Sequence, residues 1–156
     1  MMNGRTELLQ GLRDEEALAI IGLGSRSTLA QGEVLFRLGT DADRLFVIER
    51  GRVALTLPMH VLDREQNVLV EERGAGQTLG WSALTPPHRF TLTATALVET
   101  EAVALPRTAL FRYFDENPEV GYVVARNVAS IIGQRLEVIQ AMWLREMQRV
   151  VKLSYA

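Results

Sequence analysis

The stretch from Leu35 to Leu55, LFRLGTDADRLFVIERGRVAL, constrains the fold of this chain more than any other. Gly39 ends a short apolar run and is followed by an acidic turn. The run at 45–48 is typical of a buried strand, and Gly51 permits the next reversal of direction. Short strands joined by tight glycine turns are typical of an all-β roll or barrel. The stretch therefore predicts two strands and two tight turns within such a roll.

The same pattern of short strands and turns is predicted through most of the chain. Apolar or alternating segments separated by glycine or polar turns recur up to Leu105, and we expect strands at 33–38, 44–48, 52–57, 67–71, 90–97 and 101–105. Residues 63–67 are predicted as a polar connection, and the charge run at 71–73 as a solvated strand end. A short N-terminal helix is predicted over 14–22, with Asp14 as its cap.

A long C-terminal helix is predicted from Asn117, because the Asn-Pro-Glu sequence there is typical of a helix start. Apolar residues recur along it every three or four positions and form one stripe. This stripe either packs on the roll or pairs with a second copy. Since a helix rises about 1.5 Å per residue, its far end outruns a roll of this size, and we favour a dimer seam. The seam is expected to comprise Val128, Ile132, Leu136, Ile139, Trp143, Met147 and Val150.

Length and composition limit the number of domains and the partners. A chain of 156 residues with 47% hydrophobic content supports one compact core. We expect residues 1–116 to form the roll with its N-terminal helix and residues 117–156 to form the long helix. A net charge of -2 provides no field that would attract nucleic acid or a membrane surface. There is no cysteine, so disulfides are excluded and the cytoplasm is the expected compartment.

The glycine and strand spacing of 35–55 resembles that of the cyclic nucleotide-binding domain, the sensing module of catabolite-activator regulators, cyclic-nucleotide-dependent kinases and gated channels. The resemblance extends over nearly the whole chain. It implies a mainly β fold with α elements: an eight-stranded, jelly-roll-like β-roll with a short N-terminal helix and a long C-terminal helix. In the catabolite-activator branch a DNA-reading domain follows the long helix, whereas few residues follow it here. We therefore expect a stand-alone regulatory module.

The resemblance also implies where a ligand would bind. Family members hold it with a phosphate-binding cassette, in which a glycine admits the phosphate, a glutamate accepts from the ribose and an arginine pairs with the charge. In the corresponding segment, 79–97, Trp81 occupies the glutamate position and Phe90 the arginine position. Strand alternation places Phe90 inward and Arg89 outward. The candidate ligand-binding residues are Gly80, Trp81, Ser82, Ala83, Leu84, Arg89, Phe90 and Thr91, with Ile139 and Gln140 on the long helix.

Loss of both polar cassette side chains argues against ordinary affinity for cyclic nucleotides. An unpaired phosphate in a partly desolvated pocket costs about 2–5 kcal/mol. Arg89 would replace the missing arginine only if the two prolines before it turn the loop inward; otherwise it is exposed. Trp81 is either a platform for a ring-shaped ligand or a plug that fills the pocket, and we favour the plug.

The sequence offers no catalytic machinery. His60 and His88 lack ligand-spaced neighbours, so no metal or other cofactor is predicted, and no serine lies in a nucleophile-elbow pattern. Two non-enzymatic functions remain. The chain senses a small ligand, a nucleotide or another molecule, and signals through its C-terminal helix. Alternatively, it is a docking subunit of a larger assembly, free of ligand, with its pocket plugged by aromatic side chains.

Overall fold

The computed structural model describes residues 6–156 of the chain. Within these residues, eight strands form two antiparallel four-stranded sheets, with strand orders β1-β8-β3-β6 and β2-β7-β4-β5. The strands are β1 (Ser25–Leu29), β2 (Val34–Phe36), β3 (Arg44–Arg50), β4 (Arg52–Val61), β5 (Arg64–Gly74), β6 (Thr78–Leu79), β7 (Thr93–Ala96) and β8 (Thr100–Pro106). Side chains from both sheets contribute to one hydrophobic core.

Three α-helices and two short 3₁₀ turns make up the other regular elements of the described residues. The helices are α1 (Asp14–Ile21), α2 (Arg107–Glu116) and α3 (Pro118–Ser154), and the turns are Glu7–Leu9 and Trp81–Leu84. The predicted eight-stranded roll with a short N-terminal helix and a long C-terminal helix is confirmed. The first five residues, which the predicted roll domain includes, lie outside the described residues. No helix in the described part of the chain combines the length and apolarity needed to cross a bilayer.

The β4–β5 hairpin is longer than the sequence indicated. Its pairs run from Arg52↔Gly74 at the base to Val61↔Arg64 at the tip. The prediction of a polar connection at 63–67 was therefore wrong, because residues 62 and 63 alone close the hairpin, with Leu62 at a φ of 55°. Residues 64–67 are all exposed, because this end of β5 extends beyond the core. Their sequence therefore lacks the alternation of apolar and polar residues that marks a strand with one buried face.

The charge run at 71–73 is also not a solvated strand end. The register pairs Arg73 with Val53 and Glu71 with Leu55, and both apolar partners are 1% exposed. Opposite residues of an antiparallel pair share a face of the sheet, so these two charged side chains are directed toward the core. Arg73 is 2% exposed.

The first part of α3 packs on the roll through one face. The buried residues of this face recur every three or four positions: Val120, Val124, Val128, Ile131 and Arg135. Asn127 adds hydrogen bonds from its Nδ2 to the carbonyl oxygens of Leu8, at 2.7 Å, and Gln10, at 2.9 Å. Val128 is therefore largely buried within its own chain, unlike the predicted seam residues from Leu136 onward. Beyond Arg135 the helix continues for about 28 Å with its side chains largely exposed.

Candidate functional site

The cassette segment forms a tight turn that begins at Gly80. This residue has a φ of +75°, which L side chains rarely adopt, and it precedes the 3₁₀ turn Trp81–Leu84. A Cβ atom at Gly80 would lie 3.0 Å from Cε1 of Phe90. Glycine is thus needed here for its backbone conformation and for the close approach of an aromatic ring. In the pattern described above, the ligand phosphate would approach this glycine.

Phe90 is buried against the turn, as the alternation predicted. It is 5% exposed, and its ring stacks on that of Phe36 with centroids 3.9 Å apart and planes 11° apart. Phe36 in turn stacks on Phe46 at 5.8 Å. The cavity left beside these rings measures about 10 Å³, which is room for about one water molecule. Its lining residues are Phe36, Leu55, Gly80, Trp81, Ser82, Phe90, Thr91, Leu92 and Arg135.

Several predicted ligand residues lie away from this cavity. Arg89 is exposed, and its Nη1 donates to the Gly39 carbonyl oxygen at 2.9 Å, so its guanidinium is turned toward the neighbouring loop. Ala83 is fully buried in the core. Ile139 is 44% exposed, and neither it nor the exposed Gln140 lines the cavity. The part of α3 that reaches the cavity is Arg135, one turn earlier.

His88 holds the loop that leads into Phe90. Its Nδ1 lies 3.0 Å from the carbonyl oxygen of Ala83 and 3.3 Å from that of Ser82, so this nitrogen donates to the 3₁₀ turn. The Thr85 carbonyl oxygen accepts from the backbone N–H of His88 at 2.9 Å. The His88 side chain is thus engaged in loop structure, and the described residues contain no group of three or more side chains that could hold a metal ion.

A cluster of four charged side chains lies behind the cavity. Glu71 Oε2 accepts from Arg135 Nε at 2.9 Å, and Glu71 Oε1 lies 3.3 Å from Arg73 Nε. Arg73 Nη1 donates to Glu7 at 3.2 Å, and Glu7 also accepts from the backbone N–H of Thr78 at 2.7 Å. The cluster joins the N-terminal turn, β5, β6 and α3, and its formal charges cancel.

Arg135 is the member of this cluster that reaches the cavity. It is 7% exposed, and burial lowers the pKa of its guanidinium while the nearby Glu71 carboxylate raises it. Its Nη2 is buried and has no hydrogen-bond partner among residues 6–156. Arg135 was not among the predicted ligand-binding residues, because an arginine on a helix surface is ordinarily solvated. A signal was present in the spacing, since Arg135 continues the three-and-four periodicity of Val124, Val128 and Ile131.

A second, apolar groove of about 240 Å³ lies on the other side of the cassette turn. Leu84 and Thr85 line it from the turn, Phe111 and Phe114 from α2, and Gly121, Val124, Ala125, Val128, Ala129 and Ile132 from α3. Ala125, Ala129 and Ile132 continue, in steps of three and four, into Leu136, Ile139, Trp143, Met147 and Val150, which are 40–64% exposed. We call these eight α3 residues the outer stripe. It lies beside the face that packs on the roll, so α3 carries two apolar faces, one buried and one without a partner within the described chain.

Comparison with known proteins connects this geometry to a family. The family model for the cyclic nucleotide-binding domain matches residues 26–117. The match includes the cassette turn, α2 and all eight strands, apart from the first residue of β1. The chain belongs to the cyclic nucleotide-binding domain family. Domains of this family are typically regulatory rather than catalytic.

Two solved structures and two curated proteins are similar to this chain. The N-terminal domain of a transcriptional regulator from Streptomyces coelicolor A3(2) is 31% identical, with a TM-score of 0.70 over 83% of this chain and 91% of that chain. The catabolite activator protein of Thermus thermophilus, 24% identical, shares the fold with a TM-score of 0.72 over 92% of this chain and 63% of that chain. Glutaminase 1 of Bradyrhizobium diazoefficiens is 27% identical over 136 residues, or 86% of this chain. The chain spans 21% of that protein's length and 6% of a second curated relative's.

Proposed function

We propose that this chain is a non-enzymatic regulatory module whose cassette cavity is closed to cyclic nucleotides and which acts by pairing α3 with a second copy. The observation that carries the first part is the position of Phe90. Its ring occupies the space in front of Gly80, at the approach that the family pattern reserves for the ligand phosphate. About 10 Å³ remains, far below the several hundred cubic ångströms that small-molecule sites usually offer.

The charges around the turn support the same conclusion. Trp81 and Phe90 supply neither the carboxylate that would accept from a ribose nor the guanidinium that would pair with a phosphate. Arg89, the nearest substitute along the chain, donates to Gly39 instead. A cyclic nucleotide would have to displace two aromatic side chains, and it would then find neither a cassette carboxylate for its ribose nor a cassette guanidinium for its phosphate.

The second part of the proposal rests on the outer stripe. Its exposed residues are separated by steps of three or four, the spacing that keeps apolar side chains on one face of a helix and that coiled coils use to bring one helix against another. Trp143 is 64% exposed although it lies in the middle of this apolar face, and large aromatic side chains contribute strongly to interfaces. The groove lined by Ala125 and Ala129 is continuous with the stripe and widens the surface available to a second α3.

Sedimentation velocity or light scattering on the purified protein tests the pairing. We expect a dimer at micromolar concentration, and a monomer for Trp143→Glu, because the substitution places a charge in the seam. Arg145→Glu is the matched control, since it changes the charge by more but lies on the opposite face of α3, and it should stay dimeric. A monomeric wild type, or equal behaviour of the two variants, would overturn the pairing. A monomeric wild type would favour docking to another protein.

A second candidate function is a sensor for a ligand other than a cyclic nucleotide. One observation favours it: the buried residue Arg135 lines the cavity, and one donor of its guanidinium has no hydrogen-bond partner among the described residues.

A further inference from the structure

The cassette cavity contains one cationic side chain, and it comes from α3 rather than from the cassette. The other lining residues are apolar, glycine or hydroxyl side chains. Arg135 is 7% exposed, so its charge is held at the cavity wall with little access to solvent. A buried guanidinium normally requires partners for its several N–H groups.

Those partners are incomplete. Arg135 Nε donates to Glu71 at 2.9 Å, whereas its Nη2 is buried and has no acceptor. Glu71 is shared, because its other oxygen lies 3.3 Å from Nε of Arg73. One carboxylate thus serves two buried arginines, and the guanidinium of Arg135 retains hydrogen-bonding capacity.

We propose that Arg135 makes this cavity a site for a small oxyanion, a phosphate or carboxylate group, which competes with Glu71 for the guanidinium. A planar guanidinium matches both groups because it can donate two parallel hydrogen bonds to two oxygens. In this site Arg135, which reaches the cavity from α3, takes the role of the missing cassette arginine. This proposal deepens the sensor candidate above by naming the class of ligand.

The cavity must open to admit such a group, and the structure indicates which side chain moves. Trp81 is half-buried and lies in the short 3₁₀ turn, whereas Phe90 is 5% exposed and stacked on Phe36. Outward displacement of the Trp81 ring therefore opens the site with less loss of packing than displacement of Phe90.

Binding would reach α3 directly. Arg135 is the last buried residue of that helix, and its pair with Glu71 ties the helix to β5. An anion that takes over the guanidinium removes this tie at the point where the exposed part of α3 begins. The site is thus placed to couple ligand binding to the pairing of the outer stripe.

The test uses inorganic phosphate and acetate as probes, titrated at constant ionic strength against chloride, with thermal midpoint and calorimetry as readouts. We expect saturable stabilisation of the wild type by at least one probe. The phosphate titration tests for recognition of a phosphate group, and the acetate titration tests for recognition of a carboxylate group. Arg135→Gln should abolish the response, while Arg145→Gln, an exposed arginine of the same helix, should leave it unchanged. No saturable response to either probe would overturn the proposal.

Two further variants keep the test decisive if Arg135→Gln does not fold. Glu71→Gln removes the competing carboxylate and should lower the apparent Kd at least about threefold. Trp81→Ala opens the cavity and should also tighten binding. A purely structural role for the Arg135–Glu71 pair predicts that Glu71→Gln only destabilises the protein, with no gain in affinity, and that result would overturn the proposal.

Light scattering on the same samples separates this proposal from the pairing of α3. A dimeric wild type with no anion response contradicts the oxyanion site alone. A monomeric wild type that binds the anion through Arg135 contradicts the pairing alone.

Discussion

Phe90 stacks face to face on Phe36 with ring centroids 3.9 Å apart, directly in front of the left-handed Gly80. This contact converts the position from which a cassette arginine would reach a ligand into part of the hydrophobic core. Contacts between aromatic rings can stabilise a fold beyond the burial of their area. The loss of a ligand-binding group and the gain of core packing are therefore one structural change.

Truncation of this ring should lower stability strongly. Phe90→Ala removes a nearly fully buried ring, and such substitutions cost about 3–5 kcal/mol. Thr91→Ala, the next residue and exposed, should change the free energy of unfolding by less than about 0.5 kcal/mol. Urea denaturation measures both. A loss of less than about 1 kcal/mol for Phe90→Ala would mean that the ring is not part of the core.

Two glycine substitutions should have opposite signs. Gly80→Ala forces an L side chain to a φ of +75° and places its Cβ 3.0 Å from the Phe90 ring, and we expect a loss of about 1–2 kcal/mol. Gly133 lies within α3 with no atom within 4 Å of a built Cβ, so Gly133→Ala should stabilise by about 0.5–1 kcal/mol. Chemical denaturation measures the free energy of unfolding of both variants. If both were destabilised, a Cβ at Gly133 could not lie in open space as the structure indicates.

Two arginine–glutamate pairs on the β4–β5 hairpin differ mainly in burial. Arg73 is 2% exposed and lies between Glu7 and Glu71, so Arg73→Met leaves two carboxylates without their shared partner and should cost about 3–5 kcal/mol. Arg52 lies 3.5 Å from Glu72 at the surface, and Arg52→Met should cost at most about 1 kcal/mol. Thermal unfolding of the two variants compares them, and similar losses would contradict the burial argument.

Restoration of both cassette groups should create a nucleotide site. In Trp81→Glu/Phe90→Arg the carboxylate can accept from a ribose and the guanidinium can pair with the phosphate, while removal of two aromatic rings makes room. We expect cyclic AMP to raise the thermal midpoint of the double variant by several degrees and that of neither single variant. A double variant that folds and remains insensitive would show that more than the two aromatic rings closes the site.

The sequence predicted the roll because its glycines mark real turns. Gly39 and Gly51 both adopt positive φ, and the run at 45–48 forms the buried centre of β3. The inward position of Phe90 followed from alternation within one segment. Predictions of this kind depend on neighbours in the chain and need no knowledge of distant contacts.

The charged cluster could not be predicted in the same way. The burial of Glu71 and Arg73 depends on their register against Leu55 and Val53, and a bulge between Leu55 and Thr56 shifts that register by one residue. Arg135 reaches the cavity only because five residues of α3 face the roll, and Val128 is buried for the same reason. Local sequence patterns specify which faces are apolar, but not which element covers each face.

The most direct test of the account is a titration of the wild-type protein with cyclic AMP and cyclic GMP, followed by its thermal midpoint. A ligand at about one hundred times its Kd stabilises the native state by about 2.7 kcal/mol, which raises the midpoint of a domain of this size by several degrees. We predict no shift with either nucleotide at millimolar concentration. A saturable rise with one of them would contradict the closed cavity and would require Phe90 to leave its contact with Phe36.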